Sequence, residues 1–222
     1  MQAAILPLLV AAAVSAPDAH SGISASVRAG YGIPLGRVSN ASGAELSRVY
    51  VGTLPLWGDL GWRFNEHLVA SAYLQWGLGL INDASLSANS SASGSDVLIG
   101  LQATWSLTPE RPVSPWVGVG AGYEWANFFE RTDTFLGALE FSTQNRGFQL
   151  MLQAGADWRH ETWPPLGPFL TVVIGEFQTS QLTSGGVTVT QDVTNPPVHV
   201  WVQLGVRGAF DVPVPGATTA RR

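Results

Sequence analysis

The sequence predicts an all-β protein, an eight-stranded antiparallel up-and-down transmembrane β-barrel with a lipid-facing apolar exterior and a polar lumen. Apolar and polar residues alternate in runs of about ten residues, the length that a tilted strand needs to cross the hydrocarbon core of a bilayer. The connections between runs alternate between short and long, as in barrels with turns on one side and loops on the other. Charged residues make up only 12% of the 222 residues, although the chain has nine tryptophans. A water-facing surface normally carries about twice that share of charge.

The first four runs each place an apolar face opposite a smaller or more polar face. Ile, Ala, Val and Tyr alternate with Ser, Arg and Gly in the first run, and leucines and Trp62 alternate with Asp59 and Arg63 in the second. Leu, Ile, Ala and Trp alternate with Ser, Gln, Thr and Gly in the third and fourth. These four runs are Gly22 to Ile33, Val51 to Phe64, Leu68 to Leu80 and Val97 to Leu107.

The last four runs include one that is ambiguous. The fifth has glycine at every second position, the sixth alternates apolar residues with Gln and Asp157, and the eighth sets valines against His199 and Arg207. Both faces of the seventh are largely apolar, and we predict that Glu176 points inward there while three apolar side chains point outward, namely Phe169, Val173 and Phe177. The four runs are Trp116 to Ala126, Gly147 to His160, Pro168 to Phe177 and Val198 to Phe210.

The connections predict which ends of the strands share a side of the barrel. Three are short: 65–67, 108–115 and 161–167. Four are long: 36–48, 81–95, 127–145 and 178–197. Within the second long connection, Ala84 to Ser95 is of low complexity, which predicts a flexible loop.

Three segments are predicted along the chain. Residues 1–19 have an apolar stretch from Ala3 to Val14 followed by small residues, which is the layout of a cleavable signal peptide; a short buried helix is the alternative. Residues 20–212 form the barrel, and residues 213–222 form a short periplasmic tail.

Composition also argues against several kinds of site. The chain has no cysteine, and its four histidines lack the spacing of metal ligands, so neither a metal nor another cofactor is expected. A net charge of −5 without a basic stripe argues against a nucleic-acid partner. Gly118, Gly120 and Gly122 form a GxGxG string that no predicted helix follows, so they indicate small residues in a crowded wall rather than a dinucleotide site.

A soluble eight-stranded barrel of the lipocalin kind, with its apolar face inside, is the main rival fold. Such a lumen has room only for side chains or one small ligand, and most of the apolar residues of this chain would overfill it. With the apolar face outward, aromatic residues collect near both ends of the strands, as in the two belts of a lipid-facing barrel. The predicted belts contain Tyr31, Trp62, Trp76, Trp105, Tyr123, Trp125, Phe148, Trp158 and Phe210.

Three segments resemble the bacterial outer-membrane β-barrel family, and within it the small barrels such as the OmpA transmembrane domain, OmpX and OmpW. They are Pro115 to Tyr123, Gly147 to Arg159 and Leu204 to Phe210. The resemblance implies localisation in the bacterial outer membrane, a surround of outer-membrane lipid and a monomeric barrel. It also implies a terminal aromatic residue that the barrel-assembly machinery recognises. Phe210 matches that residue, although a tail follows it.

Charged side chains on the inward parity form the candidate site. Four of each sign balance one another, which predicts a network of ion pairs that plugs the lumen; a gated narrow pore is the alternative. His199 is predicted to pair with Glu176 near the loop end, either as a structural contact or as an oriented imidazole. The predicted network contains Arg28, Asp59, Arg63, Glu124, Asp157, Arg159, Glu176, His199 and Arg207.

The leading functional hypothesis is a non-enzymatic barrel with a structural role or an interaction role carried by its long loops. Those loops expose apolar residues that an extracellular ligand could contact, namely Phe128, Phe129, Phe135 and Leu136. A narrow pore or transporter for small solutes, apolar ones included, is the second hypothesis. A lipid-modifying enzyme is less favoured, because its Ser, His and carboxylate would converge on the outer rim whereas His199 is predicted to face the lumen.

Overall fold

A computed structural model describes residues 21–37, 45–82, 84, 86–87, 89–135, 137–160 and 162–213. The predicted signal peptide and Leu136 lie outside these residues, and so does the predicted tail beyond Pro213, where the last strand ends. No helix in the described part of the chain is long and apolar enough to span a bilayer. The elements are β1 (Gly22–Gly36), α1 (Leu46–Val49), β2 (Tyr50–Arg63), β3 (Leu68–Ile81), β4 (Ser90–Ser106), β5 (Val113–Thr134), β6 (Gly137–Trp158), β7 (Leu166–Ser184), β8 (Val187–Asp192) and β9 (Val198–Pro213).

Eight of the strands close into a ring, which confirms the predicted fold class. Consecutive strands from β1 to β7 pair antiparallel, β7 pairs with β9, and β9 returns to β1. The closing pair runs without interruption from Gly22 opposite Pro213 to Gly36 opposite His199. Closure satisfies the backbone hydrogen bonds that an open edge would leave unpaired in lipid. Among the described strands, β8 pairs only with β7 and lies outside the ring.

Strict alternation of exposure separates the two faces of the barrel. In β1 every second residue from Ser24 to Gly32, except Gly30, is buried, whereas Ile23, Val27 and Ile33 are exposed. Outward leucines are among the most exposed side chains, with Leu101 at 69% and Leu60 at 64%. Exposing so many leucine and valine side chains to water would be unfavourable, whereas contact with lipid hydrocarbon is not, so the barrel spans a membrane.

The strands β4 to β7 extend well beyond the predicted runs at the loop end. The predicted loop 127–145 is mostly a continuation of the β5–β6 hairpin, and the predicted loop 178–197 contains the β7–β8 hairpin. The prediction that Ala84 to Ser95 form a flexible loop is wrong from Ser90 onward, because Ser90 to Gly94 are a strand that pairs with Phe128 to Thr132. The serine-rich composition of this segment gave no sign of a strand, because the strand is stabilised by pairing with its neighbour and not by the strand propensity of its residues.

The inward and outward assignment predicted for β7 is also wrong. Phe169, Val173 and Phe177 are buried in the lumen, and Glu176 is exposed on the outer face opposite Phe148. Both parities of this strand are apolar, so periodicity alone could not orient it. Its inner face also contains the small residues Gly167 and Gly175, which lie where neighbouring chain approaches closely.

Candidate functional site in the barrel lumen

A buried ion pair between Arg28 and Asp59 lies at the centre of the lumen. Arg28 Nη2 donates to Asp59 Oδ1 at 2.7 Å, and Arg28 Nε donates to Asp59 Oδ2 at 3.1 Å. Two amide oxygens accept further guanidinium hydrogens, those of Gln153 at 2.6 Å and Gln102 at 2.9 Å. Ser26 donates to the same carboxylate. Five side chains from four strands therefore share one hydrogen-bond network across the lumen, as a buried charge pair requires.

Aromatic rings contact this network. Trp57 shares the predicted inward parity of Asp59 and Arg63, whereas Phe169 was predicted to point outward. The Trp57 and Phe169 rings contact edge to face with centroids 5.3 Å apart, and the Arg28 guanidinium lies 4.6 Å from the Trp57 ring centre. The lumen is therefore polar, as the fold prediction states, but it also contains a buried apolar cluster. Its members are Trp57, Tyr73, Leu98, Trp116, Met151, Phe169 and Val173.

Two further arginine–carboxylate pairs lie between the centre and the turn end. Arg207 Nη1 contacts Asp157 Oδ2 at 3.1 Å, and its guanidinium lies 4.6 Å from the Trp116 ring centre. Arg63 contacts Asp211 at 2.8 Å. Asp211 was not predicted, because the predicted eighth run ends one residue earlier, at Phe210. Asp211 has the same inward parity as His199 and Arg207.

Arg159 is not part of the lumen network, contrary to the prediction. It follows the end of β6, is exposed, and donates to the carbonyl oxygen of Pro109 in the neighbouring turn. The strand ends at Trp158, so the alternation that would have turned Arg159 inward no longer applies.

His199 binds a different carboxylate from the one predicted. Its Nε2 lies 2.9 Å from Glu124 Oε2, both side chains are buried, and its ring stacks on Phe177 at 4.1 Å. Glu176 cannot be the partner because it points outward. The register places Glu176 opposite Val198 and Gly175 opposite His199, so the predicted pairing of Glu176 with His199 was wrong by one residue.

Asp96 is a lumen carboxylate that sequence reasoning missed. It accepts from Gln75 Nε2 at 2.9 Å and lies near Thr53 Oγ1 at 3.5 Å. Continuing the inward parity of Leu98 and Gly100 by one step would have found it, but the predicted strand began at Val97.

A cavity of about 40 Å³ lies between these groups and α1, toward the loop end. Asp96 and Glu124 line it together with aromatic rings, and Leu46 of α1 also borders it. In the part of the chain that the structure describes, no group of three His, Asp or Glu side chains could hold a metal ion.

The predicted aromatic belts lie on the outer face near both ends of the strands. Tyr123 contacts Trp125 and Phe148 edge to face at 4.8 and 5.0 Å, toward the loop end. At the turn end, Trp105 stacks on His67 with ring centres 5.1 Å apart. The other belt residues, Tyr31, Trp62, Trp76, Trp158 and Phe210, are exposed on the same outer face.

A closed strand ring with an apolar exterior and two aromatic belts is the architecture of an integral outer-membrane β-barrel. The chain has this architecture, so its localisation in the bacterial outer membrane follows from its own strands and exterior.

Solved structures of outer-membrane proteins match this chain over most of its length at low sequence identity. A major outer membrane protein from Thermus thermophilus is 14% identical with a TM-score of 0.49, covering 86% of this chain and 99% of its own. OprG from Pseudomonas aeruginosa is 11% identical with a TM-score of 0.47, covering 87% and 98%. The outer membrane protein AlkL is 18% identical with a TM-score of 0.45, covering 90% and 95%. No protein-family model and no curated protein matches the sequence.

Proposed function

We propose that this outer-membrane barrel is non-enzymatic, that its lumen is plugged, and that it binds an extended polypeptide at the cell surface. The observation that carries the proposal is the outer edge of β8, which pairs with no strand among the described residues and projects from the loop end. Short turns are periplasmic and long loops extracellular in barrels of this type, so the loop end faces the cell exterior.

Strand length supports a binding structure outside the membrane. β5 and β6 each have 22 residues, whereas β1 has 15. At about 3.3 Å per residue and a tilt of about 45°, the longer strands rise about 50 Å and the shorter about 35 Å, against a hydrocarbon core of about 30 Å. The surplus forms a sheet on one side of the mouth, which we call the projecting sheet: Ser90–Gly94, Asn127–Thr134, Gly137–Arg146, Thr179–Ser184 and β8.

One face of the projecting sheet is mostly polar and the other mostly apolar, with Phe129 on the polar face and Glu130 on the apolar face. Arg131 pairs with Asp133 and Glu140 on the polar face. The other face continues the inner wall of the barrel. Phe128 lines the cavity, and successive strand pairing places Thr143, Leu182 and Val189 on the same face as Phe128. The exposed members of this apolar face are Leu139, Phe141, Leu182, Val187 and Val189.

The edge of β8 has none of the usual protection against strand addition. Val187 to Gln191 alternate valine and threonine before the glutamine, with no lysine, proline or bulge, and the first charge is Asp192. Natural proteins usually protect an exposed edge with such features, because its free N–H and C=O groups pair with other chains. An extended segment with apolar residues at every second position would extend the sheet and pack on its apolar face.

The interior supports a plug more than a pore or an enzyme. Ion pairs and aromatic rings cross the lumen at its centre, which favours a plug over a continuous water path. His199 is buried against Phe177 and faces away from the lipid rim where a lipid-modifying enzyme would need it. Biogenesis is proposed to use Phe210, whose exposed ring lies on β9 beside the closing pair with β1, as the signal for the barrel-assembly machinery.

Peptide binding tests the interaction role. The probe is a fluorescent peptide that copies Val187 to Asp192, titrated against the full protein in detergent micelles. We expect saturable binding that Val189→Lys abolishes, because it charges the apolar face, while Thr188→Lys on the polar face leaves it within about twofold. The same peptide N-methylated at every second residue should not bind, since it cannot pair with an edge. Equal binding to both variants, or no binding to the unaltered protein, would reject the proposal.

A further inference from the structure

The cavity at the loop end of the lumen combines two carboxylates with several aromatic rings. Asp96 and Glu124 line it beside Tyr50, Phe128, Phe177 and Trp201. Its volume of about 40 Å³ exceeds the space that one water molecule needs, which is about 10–15 Å³ on the same measure. The cavity therefore has room for one small polar or charged ligand.

The carboxylates of this cavity lack the arginine partners that the other lumen carboxylates have. Asp59, Asp157 and Asp211 each contact an arginine. Among the described residues, Asp96 contacts only Gln75 and Thr53, and Glu124 contacts only His199. With both carboxylates ionised, at least one negative charge stays uncompensated whichever charge His199 carries. A bound cation would remove the cost of that buried charge.

Glu124 also presents a free acceptor to the cavity. His199 bonds its Oε2 atom, and no described residue donates to Oε1. The residue is only 3% exposed, so bulk water does not surround this oxygen. An oxygen of a buried carboxylate that borders a cavity and has no hydrogen-bond donor among the described residues is matched to a ligand that donates hydrogen bonds.

The aromatic walls select among cations. Tyr50 meets Phe128 and Trp201 edge to face, with centroids 6.3 and 6.1 Å apart, so three aromatic rings inclined to one another line the cavity. Ring faces attract ammonium groups that have left water, an interaction that strengthens when the site is desolvated. We propose that this cavity binds a small monovalent cation of the ammonium type, of the size of methylammonium, held by Asp96 and Glu124 and by these rings. The site does not depend on the proposed peptide interaction of β8.

An NMR titration of the full protein in micelles tests the site, with methylammonium chloride as the probe. The indole N–H signal of Trp201, assigned by its loss in Trp201→Phe, reports binding. We expect a saturable shift with methylammonium, a much weaker one with sodium, and none with tetramethylammonium, which is too large. Asp96→Asn should weaken binding about tenfold or more, and Asp133→Asn, on the exposed projecting sheet, should not change it.

A second pair of variants keeps every charge in place. Tyr50→Phe preserves the ring face and should bind within about twofold of the unaltered protein, whereas Tyr50→Leu should weaken binding about tenfold. Folding of each variant is checked by heat-dependent mobility on SDS gels. No saturable shift in the unaltered protein, equal response to sodium and methylammonium, or equal affinity of the two Tyr50 variants would each overturn the proposal.

Discussion

Removing the carboxylate of Asp59 should destabilise the barrel far more than removing an exposed one. Arg28 is 2% exposed and would lose two charge-assisted hydrogen bonds and its counter-ion. Leaving one partner of a buried pair uncompensated costs about 3–5 kcal/mol. Gln102, Gln153 and the Trp57 ring remain as partners of the guanidinium, which places Asp59→Ala toward the lower end of that range.

Equilibrium unfolding in urea from lipid vesicles, followed by tryptophan fluorescence, measures the effect. The control is Asp133→Ala, which removes an exposed partner of Arg131 and should cost less than about 1 kcal/mol. A double variant, Arg28→Met with Asp59→Ala, removes the unpaired charge and should recover about 2 kcal/mol or more of the loss. The reasoning fails if Asp59→Ala costs no more than Asp133→Ala, or if the double variant is less stable than Asp59→Ala alone.

Two further predictions concern the packing and permeability of the lumen. Gly122→Ala should cost about 1–3 kcal/mol in the same unfolding assay, because the added carbon would overlap the Tyr73 hydroxyl, while Gly58→Ala, with no atom within 4 Å, should change little; equal costs would contradict this account. Planar-bilayer recording should show no steady conductance, since rings and ion pairs cross the lumen. Reproducible conductance that changes in the Arg207→Gln variant would contradict the plugged lumen and favour a gated pore.

Periodicity predicted the barrel because each face of a strand meets a single solvent. Ile23 and Val27 meet lipid while Ser24 and Arg28 meet the lumen, and no tertiary information is needed to tell them apart. The same reasoning failed for β7, where Phe169 and Leu170 are equally apolar. Only the neighbours across the lumen, Trp57 above all, decide which of them is inside.

The extent of the strands and the pairing of charges depend on contacts that the sequence does not display. Ser90 to Gly94 are a strand because β5 continues beside them, not because serine favours strands. Asp96 was missed because the predicted strand began one residue later, at Val97, whereas β4 begins at Ser90. Glu124 replaced Glu176 as the partner of His199 because barrel closure brings β5 opposite β9 across the lumen, a distance of 75 positions along the chain.

The lumen divides into a part that stabilises the barrel and a part that is suited to binding. Toward the turn end and at the centre, Asp59, Asp157 and Asp211 each have an arginine, so the charge is balanced without a ligand. Toward the loop end, Asp96 and Glu124 have no arginine among the described residues, and the strands β4 to β7 continue past the bilayer. These two carboxylates and the extended strands thus lie at the same end, which is the extracellular end in barrels of this type. Under the two binding proposals, stability and recognition depend on different residues of one barrel, so we expect substitutions at the loop end to change binding while the arginine pairs keep the barrel folded.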